Sequence, residues 1–171
     1  MDNMFKMGPS EMQGEIWDEK GFSKIVDILV SHQQDCINSI KFTYDFNREI
    51  VHSQTHGQPN GLKFDMVEFD YHSEWLTSLS GEYKNGRLAS ITFGTNKKTY
   101  GPFGRTGSRS SSSGLYDEFE YKFNPLRFGG LHGSVCDGSV YAIGVYVKPY
   151  KIYTLEEYCD ELLESLDDLN L

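Results

Sequence analysis

The segment Ile37-Asn38-Ser39-Ile40-Lys41-Phe42-Thr43-Tyr44 carries the spacing that decides the fold. Its first apolar residue is followed by others three, five and seven positions later, and the same spacing recurs at Val140, Ile143, Val145 and Val147. Looser copies run Leu76, Leu79, Gly81, Tyr83 and Leu88, Ile91, Phe93, Thr95. Alternate strand positions share a face, so the steps of two indicate a strand, and the first step of three indicates a turn or bulge that enters it. Repeated units with one apolar face must bury those faces together, which predicts several small antiparallel sheets around a common core.

Residues 20 to 148 also have the regularly spaced turn signals that are typical of an all-β protein. Their short alternating stretches end at turn residues: Asn60-Gly61, Lys84-Asn85-Gly86, Tyr100-Gly101-Pro102 and Asp137-Gly138. We therefore expect residues 1–148 to form one β domain.

The C-terminal stretch departs from this pattern. From Thr154 the apolar positions alternate steps of four and three, which is typical of a helix: Leu155, Cys159, Leu162, Leu166 and Leu169. Thr154 and Glu157 form a capping-box pattern. The sequence thus predicts that residues 149–171 are an acidic extension with a short amphipathic helix. We expect this helix to dock on the β domain or on a basic partner, because self-pairing would bring two sets of seven carboxylates together. A solvated acidic tail and a homo-oligomer are the alternatives.

Composition excludes several classes of protein. The chain has 171 residues, a formal charge of -9 and 16 scattered Lys and Arg residues, so no basic stripe suggests a nucleic-acid partner. Its apolar runs are broken early by charge, and it starts Met1-Asp2-Asn3, so we expect neither a membrane span nor a signal peptide. The three cysteines lie far apart and there is no glycosylation sequon, which favours a cytoplasmic or nuclear location.

Other residues that suggest chemistry have ordinary explanations. His52 and His56 are four apart, but the residues between them read as a hairpin loop, so a polar turn is a better interpretation than a metal site. Trp17 and Trp75 could stack on a ligand, but we expect both in the core. No nucleophile, nucleotide or paired-carboxylate motif is found. The sequence therefore predicts a protein that is not an enzyme and needs no cofactor or metal.

The segment Phe93-Gly94-Thr95-Asn96-Lys97-Lys98-Thr99-Tyr100-Gly101-Pro102-Phe103-Gly104 resembles the central signature of the jacalin-related plant lectins. Four more blocks are similar to the family's in the same order: Gly14 to Asp18, Ile37 to Tyr44, Leu76 to Tyr83, and Gly130 to Gly133 followed by Ala142 to Val147. The resemblance covers roughly residues 6 to 148. It implies a β-prism of three four-stranded antiparallel sheets with pseudo-threefold symmetry.

The resemblance also implies a site. Members of the family bind mannose-type or galactose-type sugars through loops at one end of the prism, and Gly14 occupies the place of a backbone donor in one of these loops. The family's acid stands directly before an Ala-Ile-Gly run, where this chain has Tyr141. The loop from Gly133 to Gly144 is one residue longer than is usual, and its only carboxylate is that of Asp137.

Two hypotheses follow from this altered loop. In the first, Asp137 replaces the missing acid, Gly138, Ser139 and Val140 supply backbone groups, and binding of mannose-type carbohydrate survives with a changed preference. In the second, the sugar site has decayed and the prism binds a protein partner. The altered loop is similar to that of a virus-restricting branch of the family with cytosolic single-prism members, which implies a role in plant defence. The candidate site consists of Gly14, Asp137, Gly138, Ser139, Val140 and Tyr141.

Overall fold

The computed structural model describes residues 3–105 and 114–150, together with Leu155, Glu156, Cys159, Asp160 and Leu163. Within these ranges the chain forms thirteen β-strands and one short 3-10 helix, Pro125–Arg127. The strands are β1 (Phe5–Met7), β2 (Glu15–Asp18), β3 (Ile25–Gln33), β4 (Cys36–Phe46), β5 (Glu49–His52), β6 (His56–Gly57), β7 (Lys63–Glu68), β8 (Leu76–Lys84), β9 (Arg87–Thr95), β10 (Thr99–Phe103), β11 (Tyr116–Lys122), β12 (Phe128–Cys136) and β13 (Ser139–Val147).

The described strands form three sheets, each built around one long antiparallel hairpin. The first sheet has the order β1-β13-β12-β2, the second β5-β4-β3-β7, and the third β10-β9-β8-β11. The all-β prediction and the three antiparallel sheets are confirmed. Four strands per sheet is right for the first and third sheets and wrong for the second. There the edge beside β4 is divided, because β5 pairs with one half of β4 and the short β6 pairs with the other.

The repeated spacing has one structural cause in all three sheets. Near the turn of each long hairpin, the second strand contains one extra residue: Asn38 in β4, Ala89 in β9 and Tyr141 in β13. An extra residue in one strand of an antiparallel pair is a β-bulge, so the step of three is a bulge, as the sequence predicts. The three bulges occupy equivalent places, which accounts for the pseudo-threefold repeat.

The core lies where the three bulged strands β4, β9 and β13 contact one another. Ten apolar residues of the repeat are at most 1 % exposed: Ile37, Ile40, Phe42, Tyr44, Leu88, Ile91, Phe93, Val140, Ile143 and Val145. Trp17 also belongs to the core, as expected, with 7 % of its surface exposed. The same expectation is wrong for Trp75, which is 44 % exposed. It precedes β8 at a turn, where its backbone N–H donates to the Asn96 side chain.

The predicted C-terminal helix falls mostly outside the described residues. Leu155, Glu156, Cys159, Asp160 and Leu163 have helical backbone, but no complete α-helix is found in the described part of the chain, so the structure does not support this element. Leu155 and Cys159, two residues of the apolar stripe, are exposed, so docking of the stripe on the prism is not supported at these positions. No helix among the described residues is long and apolar enough to cross a membrane.

Candidate functional site

Two-residue turns close the three long hairpins: Gln34-Asp35, Asn85-Gly86 and Asp137-Gly138. In the third turn both residues have positive φ, 53° for Asp137 and 79° for Gly138. This is the pattern of a type I′ turn, in which Asp-Gly is a favoured pair. The segment from Gly133 to Gly144, expected to be a lengthened loop, is therefore a hairpin with a tight turn, because Asp-Gly can reverse the chain within two residues.

Side chains and backbone groups join these turns at one end of the prism. Lys84, which precedes the second turn, places its Nζ 2.8 Å from Asp35 Oδ2 in the first. Arg87, which follows the second turn, donates from Nη1 to the Cys136 carbonyl at 2.8 Å. On the opposite side of the third turn, the Gln58 N–H donates to the Gly138 carbonyl at 2.9 Å. The Asp137-Gly138 turn is thus held by both neighbouring sheets.

Gly14 lies beside this turn and must be a glycine. Its φ is +90°, and a Cβ at this position would stand 2.0 Å from the Val135 carbonyl oxygen and 2.8 Å from Cys136 Cβ. Both the left-handed backbone and the close approach exclude a side chain. Because Cys136 directly precedes Asp137, the structure brings together the two parts of the candidate site that the sequence places more than 100 residues apart.

Arg87 covers the position at which the resemblance implies an acid. The Arg87 guanidinium lies 5.3 Å from the ring centroid of Tyr141, in a cation–π arrangement. The same guanidinium donates to Ser139 Oγ at 2.5 Å, and its Nη2 is 3.4 Å from Asp137 Oδ2. Arg87 does not stand out in the sequence as a site residue, because it comes from another sheet. The repeat could have found it, since Arg87 follows the second turn as Ser139 follows the third.

These contacts define what the end of the prism offers to a ligand. The Asp137 side chain is 87 % exposed, and at 3.4 Å from Arg87 it makes a longer contact than the usual charge-assisted bond of about 2.8 Å. Its carboxylate can therefore accept hydrogen bonds from a ligand. The Val140 side chain is buried at 1 % exposure, so that residue can contribute only backbone groups. Tyr141 offers no charge, and Arg87 adds donors that carry a positive charge.

A groove of about 650 Å³ adjoins the turn and runs between β2 and the divided edge of the second sheet. It is lined by Glu15 to Glu19 and by Val51 to Gln58, with Val135, Asp137 and Gly138 at the end that meets the turn. The groove therefore extends the candidate site along the junction of two sheets.

A buried polar cluster forms one wall of the groove. His56 stacks on Trp17 with ring centroids 4.1 Å apart, and its Nε2 lies 2.5 Å from Glu19 Oε1. The Tyr44 hydroxyl donates to the other oxygen of the same carboxylate. Burial, and then the nearby Glu19 charge, raise the pKa of Tyr44 well above its usual value. The interpretation of His56 as part of a polar turn is wrong, because the ring is packed under Trp17.

Among the described residues, His52 and His56 have separate partners and do not share a site. His52 Nδ1 lies 3.1 Å from Thr43 Oγ1, on the outer side of β5. No group of three His, Cys, Asp or Glu residues in the described ranges is arranged to hold a metal ion.

The fold is that of a known class of protein. A family model described as the Jacalin-like lectin domain matches residues 7–146, and the chain belongs to this family. The chain is 36 % identical over 140 residues to the Arabidopsis thaliana protein RESTRICTED TEV MOVEMENT 1, a match that covers 78 % of this chain and 77 % of the relative. It is also 36 % identical over 155 residues to Jacalin-related lectin 24 of Arabidopsis thaliana, with 85 % of this chain and 68 % of that protein covered.

Solved structures show the same architecture. The mannose-binding lectin from Champedak matches with a TM-score of 0.68 and 27 % identity, covering 86 % of this chain and 99 % of that one. A mannose-specific jacalin-related lectin from Morus nigra, in complex with mannose, matches with a TM-score of 0.67 and 27 % identity, covering 87 % and 97 %. The chain thus has the β-prism fold of mannose-binding lectins.

Proposed function

We propose that this chain is a non-enzymatic lectin-domain protein that binds mannose-type carbohydrate at the turn end of the prism, through an altered site. The observation that supports this proposal is the close approach of Gly14 to Val135 and Cys136, directly before the exposed Asp137 carboxylate. The site residues are Gly14, Asp137, Gly138, Ser139, Val140 and Tyr141, and no metal or cofactor takes part. We assign residues 1–148 to the lectin domain and residues 149–171 to an acidic extension.

The chemistry of a sugar matches these groups. Neighbouring hydroxyls need an acceptor with two oxygens, and charge-assisted bonds to a carboxylate contribute about 1.5 to 3 kcal/mol each. Asp137 supplies this acceptor, while backbone N–H groups around Gly14 and Gly138 donate to the sugar oxygens. Because Asp137 lies at the tip of the turn and Arg87 adds a donor, we expect a preference among hexoses that differs from that of relatives with an acid at the Tyr141 position.

A set of three variants tests this site. Isothermal titration of mannose, glucose and galactose should show millimolar binding to the wild type, and Asp137→Ala should abolish it, because only the carboxylate can accept two hydroxyls. Tyr141→Ala should weaken binding less. Asp117→Ala removes an exposed carboxylate from β11 and should bind as the wild type does. Binding by Asp137→Ala with unchanged affinity would refute the placement of the acceptor.

A second function is favoured by one observation, the Arg87 guanidinium that covers Tyr141 where the family's acid is expected. If sugar binding is lost, the prism end would instead bind a protein, in plant defence of the kind that the name RESTRICTED TEV MOVEMENT 1 indicates for that relative. The wild type would then ignore all glycans on an array. It would also capture a plant protein in the cytoplasm or nucleus, and Arg87→Ala would lose that protein. Imaging of a fluorescent fusion would test the proposed location.

A further inference from the structure

The outer face of the second sheet carries an apolar patch at the edge strand β7. Phe64 is 67 % exposed and Met66 is 54 % exposed, and Leu62, just before the strand, is 85 % exposed. Leu29, the partner of Met66 in β3, adds a fourth side chain at 43 %. Together the four expose apolar surface on the order of 400 Å², in the range of the largest patches found on monomeric proteins. We name Leu29, Leu62, Phe64 and Met66 the edge patch.

The strand beneath the edge patch is an edge strand among the described residues. β7 pairs with β3 along its whole length and stands last in its sheet, with no further described strand beyond it. An exposed edge strand with apolar side chains can pair with another strand of matching pattern. The edge patch therefore continues into backbone groups that a neighbouring chain can bond.

The sequence of the edge is complementary to itself. In Leu62-Lys63-Phe64-Asp65-Met66, apolar residues alternate with one positive and one negative charge. If two copies pair antiparallel about Phe64, then Leu62 lies opposite Met66 of the second copy and Lys63 lies opposite its Asp65. Pairs of this kind stabilise a sheet, while like charges placed opposite each other destabilise it.

The other registers about a residue of β7 are unfavourable. Centring the pair on Lys63 or on Asp65 would place each of these charges opposite its own copy. Centring it on Met66 would place Phe64 opposite Glu68. A register shifted by an odd number of residues would put the apolar face of one copy on the opposite side of the joined sheet from that of the other, because side chains alternate across a strand. Only the pairing about Phe64 matches apolar with apolar and opposite charge with opposite charge.

The Asp65 carboxylate can contact His32 of its own chain and a lysine of the second copy at the same time. Its Oδ2 lies 2.6 Å from His32 Nε2 within the chain, yet half of the side chain is exposed. A lysine of a second copy can reach this exposed portion without breaking the bond to His32. Val67 lies on the same side of β7 as Asp65 and is buried at 3 % exposure. That side therefore faces the core, and the edge patch lies on the opposite side, which faces solvent.

We propose that the protein forms a two-fold symmetric dimer in which the β7 strands of two copies pair antiparallel about Phe64. The pairing joins the second sheets of both copies and brings the two edge patches side by side, so that their side chains contact one another across the new strand pair. With the edge backbone and the Lys63 stems included, the buried area is on the order of 1,000 to 1,200 Å², at the small end of specific interfaces. The dimer is therefore expected to dissociate in the micromolar range, and it does not depend on the sugar site.

Sedimentation of the full-length chain tests the dimer. The wild type should shift from monomer to dimer as its concentration rises to about 100 µM, which is above a micromolar Kd. Phe64→Lys should raise the dissociation constant at least about tenfold. The matched control is Ile50→Lys, because Ile50 is 53 % exposed on β5, at the other edge of the same sheet, and should leave the dimer intact. A monomeric wild type, or equal loss in both variants, would refute the proposal.

Oxidative cross-linking tests the register. Phe64→Cys faces its own copy across the two-fold axis at a Cα separation near 5 Å and should form a disulfide that peptide mapping assigns to position 64 on both chains. Met66→Cys is the control, because its two copies would lie about 13 Å apart, four residues along the strand, and should not cross-link. Cross-linking of Met66→Cys but not of Phe64→Cys would overturn this register. A dimer that disappears when residues 152–171 are deleted would assign the contact to the C-terminal stripe instead.

Discussion

At the scale of single residues, Gly14 allows the sharpest prediction about stability. Gly14→Ala would place a Cβ 2.0 Å from the Val135 carbonyl oxygen at a φ of +90°. The turn or β2 must move, and we expect a loss of about 2 to 4 kcal/mol in the free energy of unfolding. Gly21→Ala is the matched control, because its φ is +95° but no atom lies within 4 Å of the added carbon. Its loss should be limited to about 1 to 2 kcal/mol of backbone strain.

Urea unfolding of both variants gives these two values directly. Equal losses for the two would mean that Gly14 is required for its backbone conformation alone and not for its contact with β12. If Gly14→Ala is as stable as the wild type, the close approach of Gly14 to the Asp137 turn is wrong.

The residues of the candidate site show which functional residues can be predicted from the neighbouring sequence and which cannot. Gly14 and Asp137 could be found because each stands in a recognisable block or turn. The repeat could have placed Arg87 near the site, but nothing near it in the sequence indicates that its guanidinium crosses to Tyr141 and Ser139. For the same reason His56 was misjudged, because its stacking on Trp17 joins residues of two sheets. Contacts between sheets depend on tertiary packing, which local spacing does not contain.

At the scale of elements, β13 is the strand whose burial can be tested most simply. Ile143 is 0 % exposed and lies among the three bulged strands. Ile143→Asp would bury a carboxylate without a partner, which costs several kcal/mol and should prevent soluble expression. Ile50→Asp, on the exposed side of β5, should express in soluble form and unfold cooperatively. Soluble and cooperatively unfolding Ile143→Asp would show that β13 does not lie in the core.

The strands themselves were more predictable than their edges. The step of three followed by steps of two predicts a bulged strand because both signals come from side chains on one face of one segment. No such signal in the sequence marks the division of the second sheet's edge into β5 and β6. Ser53 to Thr55 connect these two strands, and a connecting segment of this kind needs no apolar spacing. The segment from Gly133 to Gly144 is a hairpin and not a lengthened loop, and the reason is local. Asp137 and Gly138 both have positive φ and form a tight turn.

At the scale of the whole molecule, buried and half-buried tyrosines in the three sheets connect stability to pH. Burial is the main cause that raises the pKa of Tyr146 in the first sheet and of Tyr100 in the third, each to about 12. Burial also raises the pKa of Tyr44 in the second sheet and of Tyr83 in the third above the usual value. In the folded protein these hydroxyls keep their protons at a pH at which the unfolded chain has lost them.

The direction of the pH effect follows from this difference. Above the unfolded tyrosine pKa of about 10, the unfolded state binds fewer protons than the folded state, so the free energy of unfolding falls as pH rises. Each such tyrosine contributes a slope of up to about 1.4 kcal/mol per pH unit between pH 10 and its folded pKa. With tyrosines in every sheet, the three sheets should lose stability together, in one cooperative transition between about pH 10 and 12.

Urea unfolding at a series of pH values measures this slope. Stability should be nearly constant between about pH 8 and 9.5 and then fall steeply. Tyr146→Phe should fall less steeply above pH 10, because it removes one ionisable hydroxyl from the unfolded chain. It also loses the bond from that hydroxyl to Asp18, so its stability at pH 8 is the reference for its own slope.

Returning samples from pH 11 to pH 8 should restore the fold, which separates ionisation from chemical damage. A free energy of unfolding that does not change between pH 9 and 11 would show that these hydroxyls are not protected by the fold, and separate transitions for different tyrosines would show that the three sheets unfold independently.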